Sequence, residues 1–260
     1  MTRWAAGIEY CGTGFAGWQI QDSSPSLQQA VERALSSVAA HPVATIAAGR
    51  TDAGVHAWNQ VIHFDSEAQR PAHGWMLGTN TQLPPAVALR WVQSVDAAFD
   101  ARRSARARRY RYVIHNGRAR PGLLSGRVGW VIASLDAAKM HRAAQALIGE
   151  HDFSAFRDSE CQSRSPMRHM QAIDVRRASE YVVIDVKANA FLHHMVRNIT
   201  GVLVAIGEGK RPENWAAEVL AGRQRTRAGV TAEAGGLYFV GPEYPDSFAL
   251  PAARAPAFPA

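Results

Sequence analysis

Hydrophobic periodicity along these 260 residues switches between two and about 3.6 residues twice over, in a similar order each time, and this repetition constrains the fold most. Alternation over residues 3–10 predicts a strand. Ser24 and Pro25 then supply an N-cap and a first helical residue for a helix with Leu27, Val31, Leu35 and Val38 on one face. Residues 43–48 and 58–64 predict strands on either side of a loop at 49–56, and 87–95 a later strand. Residues 71–78 offer at most a short helix.

The second half repeats the pattern. A strand is predicted at 108–115, and a helix capped by Asp136 that carries Met140, Ala144 and Leu147. A hairpin is expected at 173–176 and 181–186, an apolar helix at 194–206, a helix at 212–220 and a last strand at 237–240. Two such rounds predict an α+β fold: two related α/β halves with mostly antiparallel sheets, helices packed on one side and an active-site cleft between the halves. The expected boundaries are 1–104 for the half with the 49–56 loop and 105–249 for the half with the 108–115 strand. A Pro/Ala-rich tail at 250–260 has little to bury and is expected to be extended.

Charge narrows the class of partner. Lys and Arg number 29 against 22 Asp and Glu, a net +7, and no apolar run approaches the roughly 20 residues of a membrane helix. The excess is gathered: residues 101–135 hold nine arginines and no acid. Clustered cations bind a polyanion by releasing its condensed counterions, so nucleic acid leads as the partner, with a solvated basic face as the plain alternative. Two cysteines, Cys11 and Cys161, are too few for a disulfide framework, and Glu9 interrupts any N-terminal apolar leader, so a cytoplasmic protein is expected.

Three segments can carry chemistry. In Gly49-Arg50-Thr51-Asp52-Ala53-Gly54-Val55-His56, two glycines bracket a polar quartet, a pattern that fits either a carboxylate presented at a sheet edge or an Asp that caps its own turn. In Arg108-Arg109-Tyr110-Arg111-Tyr112, strand alternation puts Arg108, Tyr110 and Tyr112 on one face and Arg109 and Arg111 on the other. An unstacked base can lie on such a ring, at roughly 1–3 kcal/mol, and a core strand with exposed arginines fits equally. In residues 187–199, Arg197 stands at the mouth of an apolar helix, where a charge needs a carboxylate partner. His193 and His194 are adjacent, and neighbours on a helix or strand do not face one another, so no metal site is expected. No Walker A loop, Gly-x-Gly-x-x-Gly, His-Glu-x-x-His or Gly-x-Ser-x-Gly occurs, and no nucleotide cofactor is expected.

Taken together, these segments closely resemble the tRNA pseudouridine synthase A family. The 49–56 loop looks like the family's catalytic loop without substitution, Arg109-Tyr110-Arg111-Tyr112 resembles its aromatic-basic strand, and 187–199 its third signature. Weaker likeness runs from Gly7-Ile8-Glu9-Tyr10 to Ala234-Gly235-Gly236-Leu237-Tyr238. The resemblance implies isomerisation of uridine to pseudouridine in the tRNA anticodon stem-loop, at tRNA positions 38, 39 and 40, by a homodimer without cofactor or metal. It implies that Asp52 is the catalytic carboxylate, that Tyr110 stacks on the target uracil and that Arg197 pairs with Asp52. Arg50 joins Tyr110 and Arg197 in binding substrate, and Arg108, Arg109, Arg111, His56 and His193 are further candidates for RNA contact. Cys11 stands where the family usually has an acid, and Ile20 where a basic or polar residue is common. A non-catalytic RNA-binding module would use the same strand, but would not need Asp52.

Overall fold

The structure is a computed structural model and describes residues 1–251. The tail expectation therefore falls outside the described residues apart from Leu250 and Pro251. The chain forms two compact units, Met1–Arg106 joined by the returning segment from Phe239, and Ala107–Tyr238. Among the described residues there are five α-helices and ten strands, and every pair of strands with a defined register is antiparallel except one. This is the expected α+β class.

The first unit contains β1 (Thr2–Tyr10), α1 (Leu27–Ala39), β2 (Ile46–Ala47), β3 (His56–Ser66), α2 (Ala72–Gln82) and β4 (Val87–Ser94). β1 is flanked by β3 and β4, both antiparallel to it. The cap of α1 is Ser26 rather than Ser24: its hydroxyl accepts from the Gln29 N–H at 3.3 Å, two residues later than Pro25 suggested. The strand expected at 43–48 shrinks to β2. Its first backbone donors go instead to α1 side chains, Val43 N–H to Ser36 Oγ at 2.9 Å and Thr45 N–H to Glu32 Oε1 at 2.8 Å. α2 is a full eleven-residue helix, not a short one. Gly74 and Gly78 weaken its intrinsic propensity, but Trp75 is wholly buried and meets Phe64 edge-on at 5.1 Å, so tertiary packing overrides the local sequence.

The second unit contains β5 (Ala107–Asn116), β6 (Gly129–Val131), α3 (Ala137–Ala144), β7 (Gly149–Asp152), β8 (Met167–Ala178), β9 (Tyr181–Ala188), α4 (Met195–Gly207) and α5 (Trp215–Gly222). Its main sheet has the order β5-β9-β8-β7, and β6 adds the one parallel pair against the end of β5. Asp136 caps α3 as expected, accepting from the Lys139 N–H at 2.8 Å. β6 and β7 were not foreseen; at three and four residues they are too short for a period to register. A final strand, β10 (Leu237–Glu243), begins in the second unit and passes into the first at Phe239.

Candidate active site

In the first unit Asp52 sits in the loop between β2 and β3, half-buried, with fixed groups on either side of it. Gln60, fully buried on β3, donates to the Gly49 carbonyl at 2.5 Å and accepts from its N–H at 3.4 Å, standing in for a strand partner. The Tyr10 and Thr51 hydroxyls meet at 2.7 Å, and the Thr51 carbonyl accepts the Trp18 N–H at 2.9 Å. The Val55 N–H returns to the Asp52 carbonyl at 3.1 Å, a turn made possible by Gly54 at φ 78°. Burial pushes the Tyr10 phenol above its ordinary value against the opposing bonds from Thr51 and Gln60, and Asp52 adds in the same direction.

A second loop, residues 11–18, braces the first. The Gly12 N–H donates to His56 Nδ1 at 3.0 Å, which makes that nitrogen the unprotonated one. A Cβ on Gly12 would lie 2.0 Å from the Val55 carbonyl oxygen, and one on Gly17 would lie 2.7 Å from that of Thr51. The two loops thus touch backbone to backbone, and only glycine fits. This bracing holds the loop in place with Cys11 following Tyr10, its own N–H donating to the Ala86 carbonyl at 2.9 Å. His56 is buried in this role, while Arg50 is exposed on the same loop.

In the second unit Tyr110 lies on β5 with 9% exposure, its ring edge-on to Phe191 at 5.0 Å and 80°. Tyr112, two residues on, is 2% exposed and donates to the Glu233 carbonyl at 2.8 Å, so it is part of the core and not a platform for a base. Arg111 forms a two-toothed ion pair with Asp185, its direct partner on β9, at 2.7 and 3.1 Å. Arg176 joins the same carboxylate. Burial alone would raise the Asp185 carboxyl, but the two guanidiniums hold it below the usual carboxylate range. Arg109 is exposed and Arg108 donates to the Asn189 carbonyl at 3.0 Å. The nine arginines do not share one environment. Arg102, Arg103 and Arg106 fall in the first unit, and Arg118 and Arg120 lie beyond the far end of β5, whose ten residues span roughly 30 Å.

Arg197 occupies the first turn of α4, where its Nε donates to the Ala232 carbonyl at 2.8 Å. The expectation that adjacent histidines cannot meet fails here. His194 takes φ 59° as the N-cap, which is a turn and not helix or strand, and its ring stacks on His193 at 4.0 Å. Asp158 receives both, at 2.7 Å from His194 Nδ1 and 3.4 Å from His193 Nδ1. Asp158 lies 35 residues before His193, beyond any motif spacing. The reading of the sequence also missed Tyr10, Gln60 and Asn198. An amide inside the apolar run of α4 is the one signal that pointed to Asn198, since a buried amide must be bonded.

Comparison with known proteins first defines the class: a family described as tRNA pseudouridine synthase matches residues 143–245. A tRNA pseudouridine synthase A of Aeromonas hydrophila is 55% identical over 249 residues, covering 96% of this chain and 93% of its own length. That of Xanthomonas euvesicatoria is 54% identical over 252 residues, covering 96% and 98%, and that of Escherichia fergusonii 53% over 247, covering 95% and 92%. At this identity over nearly the whole chain, the protein belongs to the tRNA pseudouridine synthase A family.

Proposed function

We propose that this chain isomerises uridine to pseudouridine in the anticodon stem-loop of tRNA, with Asp52 as its catalytic carboxylate. The reaction breaks the bond from N1 to C1′, turns the uracil, joins C5 to C1′ and moves a proton from C5 to solvent while N1 gains one. Every atom but that proton comes from the substrate, so the balance calls for no external group. A carboxylate serves either as nucleophile at C1′ or C6 or as the base that starts elimination at the sugar. The observation that carries the reading is the bracing of the 49–56 loop: a carboxylate whose neighbours are pinned by Gln60, Tyr10 and Gly12 is preorganised, not merely capping a surface turn.

In this reading Tyr110 offers its ring to the extruded uracil, and Arg197 is the cation that serves Asp52. Arg50, Arg108, Arg109 and His193 contact RNA. Extrusion of the base costs roughly a few kcal/mol, which stacking of about 1–3 kcal/mol offsets in part. The reading extends to a cytoplasmic homodimer, as the resemblance implies. Among the described residues no helix is long and apolar enough to cross a membrane. Tritium release from C5-labelled tRNA tests the proposal: Asp52→Asn should abolish release while retaining tRNA binding, and near wild-type turnover by that variant would overturn it.

A further inference from the structure

Residues 228–233 form a strap that lies along α4. At one end the strap and Arg197 exchange two bonds, Arg197 Nε to the Ala232 carbonyl at 2.8 Å and the Ala232 N–H to the Arg197 carbonyl at 3.1 Å. At the other, a Cβ on Gly201 would fall 1.8 Å from the Val230 carbonyl oxygen, so strap and helix meet backbone to backbone. Between these points stands Asn198, with no exposed surface. Its Oδ1 accepts from Thr231 Oγ1 at 2.7 Å and from the Arg225 guanidinium at 3.0 Å, and its Nδ2 donates to the Phe156 carbonyl at 2.9 Å. Arg225 closes the ring by donating to Thr231 Oγ1 at 2.7 Å and to the Gly229 carbonyl at 3.0 Å.

We infer that Asn198, with Thr231 and Arg225, is a positioning device for the Arg197 guanidinium, acting through the strap. The neighbouring buried positions of α4 include the apolar Met195, Val196, Ile199, Val202 and Leu203 and the hydroxyl of Thr200, and an apolar residue at 198 would leave the Phe156 carbonyl and the Arg225 guanidinium each short of a partner. What the amide supplies is direction: a part-buried network bonded at both ends of the amide favours one arrangement, whereas apolar contact tolerates sliding. A slide of the strap would carry the Ala232 carbonyl, and with it the Nε that this carbonyl holds. Arginine is long and rich in rotamers, and an anchored Nε restricts the plane of its guanidinium. Misplacement of a reacting group by about 1 Å can cost on the order of 100-fold in rate.

The inference rests on the reading of Arg197 given above, and the test separates the two. Single-turnover pseudouridine formation, tRNA affinity and melting temperature are measured on the full chain for Arg197→Ala, Asn198→Ala, Thr231→Val, Thr231→Ser and the double variant Arg197→Ala with Thr231→Val. Thr231→Val keeps the side-chain shape, so it stays informative if Asn198→Ala does not fold. Expected are a loss of about 100-fold or more for Arg197→Ala, of about 10-fold for Thr231→Val with affinity within about twofold, and recovery by Thr231→Ser. On the Arg197→Ala background, Thr231→Val should cost nothing further, because its effect passes through the missing side chain. If Arg197→Ala is slow but Thr231→Val keeps the wild-type rate, or lowers it equally with and without Arg197, the positioning inference is overturned and the reading of Arg197 stands. If Arg197→Ala keeps the wild-type rate, both are overturned.

Discussion

The hydroxyl of Tyr10, at the end of the first strand, meets the hydroxyl of Thr51, beside the catalytic candidate Asp52, at 2.7 Å in the buried interior. Forty-one residues separate them, and the bond ties the sheet to the loop. Tyr10→Phe keeps the ring, which packs near Trp18 at 6.0 Å, but strips Thr51 of this partner. An unmet buried hydroxyl costs about 1–3 kcal/mol. The expected outcome is a lower melting temperature and a reduced turnover with tRNA affinity nearly unchanged, measured by thermal denaturation and steady-state kinetics.

Gly12 and Gly14 belong to one turn but are glycine for different reasons. Gly12 has a carbonyl where its Cβ would go, 2.0 Å away, whereas Gly14 has open space and only a φ of 85° to discourage a side chain. Gly14→Ala should cost on the order of 1 kcal/mol, the usual penalty of a left-handed residue. Gly12→Ala should cost more and also slow catalysis, since it must drive the two loops apart. Equal losses of stability and activity for the two would contradict the interlock.

Asp185 sets a pH dependence. Its carboxyl lies below the usual carboxylate range when folded, so its pairs with Arg111 and Arg176 stabilise the fold fully above the unfolded carboxylate value, near 4. That contribution is lost as pH falls through the lower folded value. Asp185→Asn should therefore destabilise by about 2 kcal/mol at neutral pH, less than a wholly buried pair because part of the site is exposed. The gap from wild type should narrow below about pH 4. Urea unfolding at a series of pH values checks this; a gap that widens in acid would refute the assignment.

Tyr110 separates ring from hydroxyl. If its ring carries the base, Tyr110→Ala should lower activity by about 10- to 100-fold, in line with stacking of about 1–3 kcal/mol, while Tyr110→Phe stays within a few-fold. Kinetics on the same tRNA for both variants decide it. Comparable losses would transfer the role to the phenolic oxygen.

Periodicity alone was enough for the order of the major elements, because long segments such as α1 and α4 repeat their apolar residues over several turns. It was blind where packing overruled propensity. Trp75 makes α2 a helix by reaching Phe64, and α1 side chains take the donors that would have extended β2. Alternation likewise put Tyr110 and Tyr112 on one face, but whether a face opens to solvent depends on what covers it. Tyr112 is closed over by the segment holding Glu233, and Arg111 is claimed by a carboxylate 74 residues away.

The same division holds for the candidate site. The sequence by itself determined the chemical groups: Asp52 between two glycines, a tyrosine among arginines, and a charge at the mouth of an apolar helix are local patterns that short-range spacing preserves. The gathered basic segment, too, is real as composition. Only the tertiary structure decided what holds those groups still. Gly12 against Val55, Tyr10 against Thr51 and Asn198 between Arg225 and Thr231 are contacts between residues 27 to 43 positions apart. No local spacing encodes such contacts, because backbone proximity and buried hydrogen bonding arise only when the chain closes on itself.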